Sequence, residues 1–427
     1  MKRILLLGWR NIGRNPRRSV LSITAVAVAT MAIVFLFSYI EGMKQDMAQN
    51  LIRYYNGEVR VRHSQYGAWE HLNPLHLSVA DLSGVLADVD AVPEVAAVVP
   101  RLSVPGAVFR DDRRIGLQIT GVDFDRERSF SGIQERLVLG TLEDVYWDPS
   151  RPLAPDARRT VPVIVGRRVL ERLAIDRGDQ FTVVVRTGLH GTNAMTFVVA
   201  AVADFPVSSL NEVAVWAPLE RVQHLARMPD QAGEVHLRLH REASRPNQRE
   251  ATMAGITAAV AGSNRPLEAK YWEDIPGSYQ FIAYAQRIYT FVALIFFILA
   301  STVIINTTMM VIFERRKEIG TLNALGMSQG NLIGLFFTES ALLGGIGAFA
   351  GLLGGVAVTL LVGRWGINFG AAMEGIDMEI STILYPVLNV RTSIGVFFYS
   401  FAVSAATSYI PTRRIISIAP VEALREE

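Results

Sequence analysis

The sequence predicts an integral membrane α-helical fold of four transmembrane helices, with a large α+β extracytoplasmic domain inserted between helices 1 and 2. Three observations lead there. Half of the 427 residues are apolar and only 19% are charged, too apolar a balance for an ordinary soluble chain of this length. Four segments, 19–42 (with its apolar run at 19–40), 288–313, 329–363 and 392–411, each supply about the 20 mostly apolar residues that a helix needs to cross a bilayer. Between the first and second lie about 245 residues, 43–287, of globular composition, enough to bury a core of their own.

The first span is a retained anchor: its apolar run is longer than that of a secretory signal, and no small-x-small cleavage site follows it. Lys2, Arg3, Arg10, Arg14, Arg17 and Arg18 precede it with no acidic residue among them, which puts the N-terminal segment 1–18 in the cytoplasm. Trp9 beside these bases suggests an interface-lying amphipathic segment. Alternation then places 314–328, with Arg315, Arg316 and Lys317, and the tail 412–427, with Arg413, Arg414 and Arg425, on the same side. The loop 364–391, with Arg364 and Arg391 against Glu374, Asp377 and Glu379, falls outside. The expected location is the inner (cytoplasmic) membrane, multi-pass, with both termini cytoplasmic.

Within the inserted domain, short alternating runs at 57–62 (GEVRVR), 180–186 (QFTVVVR) and 234–240 (EVHLRLH) predict strands with one buried face. The stretches 169–174 and 219–226 predict helices, and the Pro- and Arg-rich stretch 148–162 an exposed loop or an excursion between subdomains.

Several chemistries find no support. Net charge is +2 and the 42 basic residues include only Lys2, Lys44, Lys270 and Lys317, so no basic footprint for nucleic acid dominates. None of those lysines follows a glycine, which removes a P-loop. Without cysteines there is no disulfide, thiol nucleophile or cysteine-based metal site. The run GIGAFAG at 345–351 sits in an apolar helix, where small residues four apart allow close packing and do not make a dinucleotide loop. His236 and His240 share one face of a strand with Arg238 between them, read as a solvated face and no metal site. No catalytic residue is assigned.

Two cytoplasmic-side features invite function. After the second span come Glu314, Arg315, Arg316, Lys317, Glu318, Ile319 and Gly320, then Ala324, Leu325, Gly326 and Met327. Ile319, Leu322 and Leu325 recur at helical spacing, so the segment reads either as a short amphipathic helix along the membrane surface or as a charged connector. Glu339 is an ionisable residue well inside the third span and needs a polar partner; Thr338, Asn306, Thr307 and Thr308 are candidates. It reads equally as a coupling hinge or as a packing contact.

Taken with Trp9, Arg10, Arg14, Arg17 and Arg18, the stretch 314–328, Glu339, the glycines Gly347, Gly351 and Gly355, and the tail PVEALR at 420–425, the chain resembles the FtsX-like permease family of ABC transporters, which includes MacB and LolC/LolE permeases. The resemblance implies a porter-like part with an inserted second part in the extracytoplasmic domain. It also implies a coupling element at 318–327 seated on a cytoplasmic ABC ATPase dimer, and a second permease, identical or paralogous. ATP and Mg would sit on that ATPase, with no cofactor on this chain. The family is thought to act by mechanotransmission: nucleotide-driven closure of the ATPases moves the helices and rearranges the outer domains.

As given, the chain opens directly on the permease, resembling the stand-alone arrangement of LolC and LolE, so extraction of lipoprotein or another lipid-anchored cargo, passed to a periplasmic carrier, leads the expectations. MacB-like efflux of peptide or drug, a signalling permease that regulates an envelope enzyme, and an enzymatic outer domain remain alternatives.

Overall fold

Pro16, whose fixed φ suits a first helical turn, opens a helix that runs to Asn50 and passes into a π-helical turn, Leu51–Asn56. It carries Gly42 within it and stops at Gly57, at φ +66°, where the Gly57 amide donates to Ile52 O at 2.9 Å. It is thus longer than its apolar run. The computed structural model describes residues 16–110, 113–146, 160–261, 265–275, 278–369, 381 and 383–416. Trp9, Arg10 and Arg14 lie outside them, as does most of 148–162.

The chain divides into two compact units, one of 1–45, 284–370 and 383–427, the other of 46–283 with 371–382. The first is helical: after the Pro16 helix come Ser278–Glu314, Arg316–Ala324, Gln329–Trp365 and Val390–Ile416. Among the described residues three helices, Ser19–Asn56, Gln286–Glu314 and Gln329–Trp365, are long and apolar enough to cross a membrane. Val390–Ile416, which covers the fourth expected segment, is richer in hydroxyls. Ser400, Ser404, Ser408 and Thr412, one turn apart, are buried along one face.

The second unit is built on one ten-stranded sheet: β1 Val59–His63, β2 Val95–Arg110, β3 Arg113–Val122, β4 Leu137–Leu139, β5 Thr160–Gly166, β6 Gln180–Arg186, β7 Thr192–Ala203, β8 Ala214–Pro218, β9 Glu234–Leu239 and β10 Leu267–Tyr271. Strand order is β10-β1-β9-β2-β3-β8-β5-β7-β4. β6 pairs both β7 and the far half of β2 at Gly106 and Ala107, so β2-β3-β8-β5-β7-β6 closes into a barrel. The sixteen residues of β2 make this possible: Val95–Arg101 pairs β9, while the remainder serves the barrel.

Alternation fills each core. Inside the barrel, Leu102, Val104, Val163, Phe181, Val183 and Phe197 pack together, as β6 shows with Phe181, Val183 and Val185 inward and Gln180, Thr182 and Arg186 outward. Each such side chain contributes about 1.5–3 kcal/mol of burial. The other lobe packs Val59, Val61, Val235 and Leu237 under helices Leu82–Asp90 and Arg249–Ala261 through Val85, Val89, Ile256 and Val260.

Two expectations are corrected here. β1 and β9 are buried on both faces: Arg60 is 4% exposed, Arg62 1% and His236 2%. The face read as solvated fails to reach water because β9 lies between β1 and β2, and Glu70, Glu234 and Glu268 cover it with ion pairs to the two arginines. His240, beyond the strand end, is exposed. The expected loop at 148–162 ends early, since Thr160, Val161 and Pro162 already belong to β5 beside Thr196, Phe197 and Val198 of β7.

Arg101, where β2 leaves one lobe for the other, fastens the root of the domain. It pairs with the fully buried Glu127 at 2.6 Å and donates to the carbonyls of Tyr54 at 2.6 Å and Arg53 at 2.9 Å, in the π-helical turn. The first helix therefore ends on a buried, charge-assisted clasp.

Candidate functional site

The break between the second and third long helices is compact. After Glu314 the backbone turns once, the Arg315 amide donating to Ile312 O at 3.1 Å, and the helix Arg316–Ala324 begins. It ends where Gly326 adopts φ +87° and the Met327 amide returns to Leu322 O at 3.2 Å, the geometry of a glycine-terminated helix. Ser328, extended, then receives the Asn331 and Leu332 amides on its carbonyl as Gln329–Trp365 starts.

One face of the short helix is anchored. Ile319, 1% exposed, packs with Ile312, Leu332 and Phe336, and Leu322 and Met327 join that cluster. Gly320 is also buried. The other face, with Lys317, Glu318, Thr321, Ala324 and Leu325, is exposed, and Leu325 is 79% exposed. A short helix fixed on one side and bare on the other is a rigid handle.

Its orientation rests on a buried ion pair. Arg315 Nη1 meets Glu339 Oε2 at 2.5 Å, with Arg315 5% and Glu339 3% exposed. The same guanidinium reaches Glu318 at 3.7 Å and lies 5.9 Å from the Phe336 ring centre. None of the hydroxyls weighed from sequence fills this role in the contacts found. Thr338 bonds Gly334 O and Thr307 bonds Val303 O, each within its own helix. The missed partner was visible only as one of several bases just past the second span. Glu314 and Arg316, its sequence neighbours, stand on the same turn, Glu314 exposed and Arg316 half-buried.

The glycines form a second contact. A Cβ at Gly347 would stand 2.8 Å from Ile23 O, one at Gly351 2.4 Å from Ala27 O, and one at Gly355 3.2 Å from Met31 O. Both series advance by four in the same direction, so the first and third long helices run parallel with their backbones in close approach. On another face, a Cβ at Gly344 would meet the Ser404 Cβ at 2.4 Å, seating Val390–Ile416. Arg17 is exposed at the start of the first helix, and Arg18 lies in that helix.

No cluster of metal-ligating side chains occurs among the described residues. Residues 290–420 match the family model for the FtsX-like permease C-terminal, and residues 19–259 that for the MacB-like periplasmic core domain. Among curated proteins, the lipoprotein-releasing system transmembrane protein LolC of Xylella fastidiosa is 19% identical over 424 residues, 96% of this chain and 94% of that protein. An uncharacterized ABC transporter permease of Methanocaldococcus jannaschii is 33% identical over 136 residues, spanning 32% of each chain. The macrolide export ATP-binding/permease protein MacB of Nitrobacter winogradskyi is 27% identical over 121 residues, 28% of this chain and 16% of that protein.

Proposed function

The chain belongs to the ABC transporter permeases that join a MacB-like periplasmic core domain to an FtsX-like C-terminal region, and from that premise we propose that it works as a mechanical transmitter. A separate cytoplasmic ABC ATPase dimer, carrying the ATP and Mg, docks on the bare face of Arg316–Ala324. Its closure tilts the second and third long helices together, and the inserted unit rearranges outside. The observation that carries this reading is the Arg315–Glu339 pair, which makes the exposed handle and the third helix one lever.

Four spans with both termini in the cytoplasm fit this scheme, Val390–Ile416 being the fourth. The parallel first and third helices support that alternation. The chain itself is non-catalytic and acts with a second permease, identical or paralogous, in the inner membrane. The proposed cargo is a lipoprotein or another lipid-anchored molecule drawn from the membrane to a periplasmic carrier. The LolC likeness, which runs over nearly the whole chain, supports it. Efflux of a peptide or drug is the second reading, favoured by the MacB-type core domain.

Reconstitution of the permease with its ATPase in proteoliposomes tests both. ATP-dependent release of a triacylated lipoprotein to a soluble carrier is expected. ATP-driven export of a soluble peptide, with the lipoprotein left in place, would replace the first reading by the second. Neither activity, from an assembled complex that hydrolyses ATP, would refute transport.

A further inference from the structure

We propose that the second long helix, Ser278–Glu314, pairs with the same helix of a second copy of this chain, and that Asn306 bonds its own counterpart across the two-fold axis. This deepens the reading of a paired permease and rests on it.

The observation behind it is a polar side chain left without a partner. Asn306 is exposed, and among the described residues its carboxamide makes no hydrogen bond. The neighbouring hydroxyls satisfy themselves within the helix: Thr302 donates to Ile298 O at 2.9 Å and Thr307 to Val303 O at 2.8 Å. Asn306 stands eight residues before Glu314, where the charged break begins. At the rise of an α-helix, that is about 12 Å into the apolar layer, beyond the reach of headgroups. Hydrocarbon offers no hydrogen bond there, so the amide calls for another protein helix.

The surrounding face has the spacing of a helix seam. Ile295, Leu299, Thr302, Met310 and Phe313 are exposed and lie within about 40° of Asn306 around the axis. On the opposite side Ala293, Ile304, Thr308 and Ile312 are buried. Leu299, Asn306 and Phe313 recur every seven residues, and Thr302 follows Leu299 by three, as a and d positions do in two parallel helices. Asn306 falls at an a position, where a single asparagine fixes register and oligomer state. Lipid tails would cover the apolar part of this stripe and leave the amide unsatisfied.

The chemistry favours an identical partner. A carboxamide both donates and accepts, so two of them face to face satisfy each other. Two copies inserted in the same direction, related by a two-fold axis along the membrane normal, run this helix parallel and set each seam residue against its own counterpart.

The test uses the full chain, expressed with the ATPase in two differently tagged forms. Copurification of the tags reads pairing, and a disulfide from Leu299→Cys reads the surface, because the chain has no cysteine of its own and the bond needs Cα atoms within about 7 Å. Copurifying tags and a disulfide-linked homodimer from Leu299→Cys are expected, with none from Leu353→Cys on an exposed face of the third long helix. Met310→Cys, on the same arc, is a second reporter should Leu299→Cys misfold. Adding Asn306→Leu should lower the disulfide yield about 3- to 10-fold, and Asn306→Gln, which keeps the carboxamide, should restore most of it. Copurifying tags with no disulfide at either reporter, equal disulfides at Leu353→Cys, or full yield with Asn306→Leu would overturn the proposal and leave the paired permease standing. Tags that never copurify, in membranes where the ATPase does, would exclude an identical partner and overturn it as well.

Discussion

Arg315 and Glu339, 24 positions apart, form a buried ion pair that fixes the helix break after Glu314 to a point about three turns into the next long helix. Removing one partner strands a buried charge, at a cost of about 3–5 kcal/mol. Arg315→Ala should therefore lower the melting temperature in nanodiscs more than the double variant Arg315→Met/Glu339→Met, in which neither charge is left alone. Equal losses in the two would mean that the pair is not coupled.

Glu339→Gln keeps the shape and loses the charge. It should leave complex assembly intact while reducing cargo-stimulated ATP hydrolysis, because a neutral amide holds the guanidinium less firmly. Wild-type stimulation in an assembled complex would confine Glu339 to packing.

Gly351 admits no side chain, since a Cβ there would lie 2.4 Å from Ala27 O. Gly351→Leu should force the first and third helices apart and cost about 1–3 kcal/mol or more, with Gly351→Ala intermediate. Gly330, whose Cβ position is open, is the control: Gly330→Ala should melt like the parent. Thermal melts of the three variants in nanodiscs decide it.

Arg101 clasps the carbonyls of Tyr54 and Arg53 to Glu127. Arg101→Ala should loosen residues 51–56, seen as faster amide exchange there while the barrel core at Val163 and Val183 stays protected. Unchanged exchange at 51–56 would show that the π-helical turn holds itself.

The His236–Glu234 pair sets an acid limit on the inserted unit. Burial, against the Glu234 bond and with Arg101 and Arg60, gives His236 a folded pKa below its unfolded one, so the unfolded chain binds the proton more readily. Burial alone would raise Glu234, but the His236 bond and Arg60 overcome it and hold that carboxyl low. Both contributions have the same sign: stability is full above about pH 6.5, declines through His236 below that, and declines further through Glu234 below about pH 4.3. His236→Gln should flatten the upper part of this decline in a denaturation series from pH 7.5 to 5. A parent curve flat over that interval would contradict the linkage.

Much of this architecture was legible in the residues. Apolar length marked the long helices, and the charge-dense stretch with Ile319 and Leu322 at helical spacing marked the short one. What escaped has a common cause, contact between segments remote in sequence. Closure of the barrel depends on β6 meeting β2 at Gly106, a pairing that neither strand's alternation can announce. Arg315 found Glu339 through the register of two helices, where sequence offered the adjacent hydroxyl of Thr338. His236 looked solvated because period-two alternation identifies faces but does not say which are covered.

The central claim, that the bare face of Arg316–Ala324 and its end at Leu325 take an ATPase, is most directly tested by site-specific crosslinking, because the chain has no cysteine of its own. Leu325→Cys and, as a control, Phe349→Cys on an exposed face of the third helix are each treated with a short thiol-to-amine crosslinker in membranes that contain the ATPase. The account predicts a permease–ATPase adduct from Leu325→Cys, lost with Lys317→Glu, and none from Phe349→Cys. No adduct at Leu325→Cys in a complex that still copurifies, or equal adducts at both positions, would contradict it.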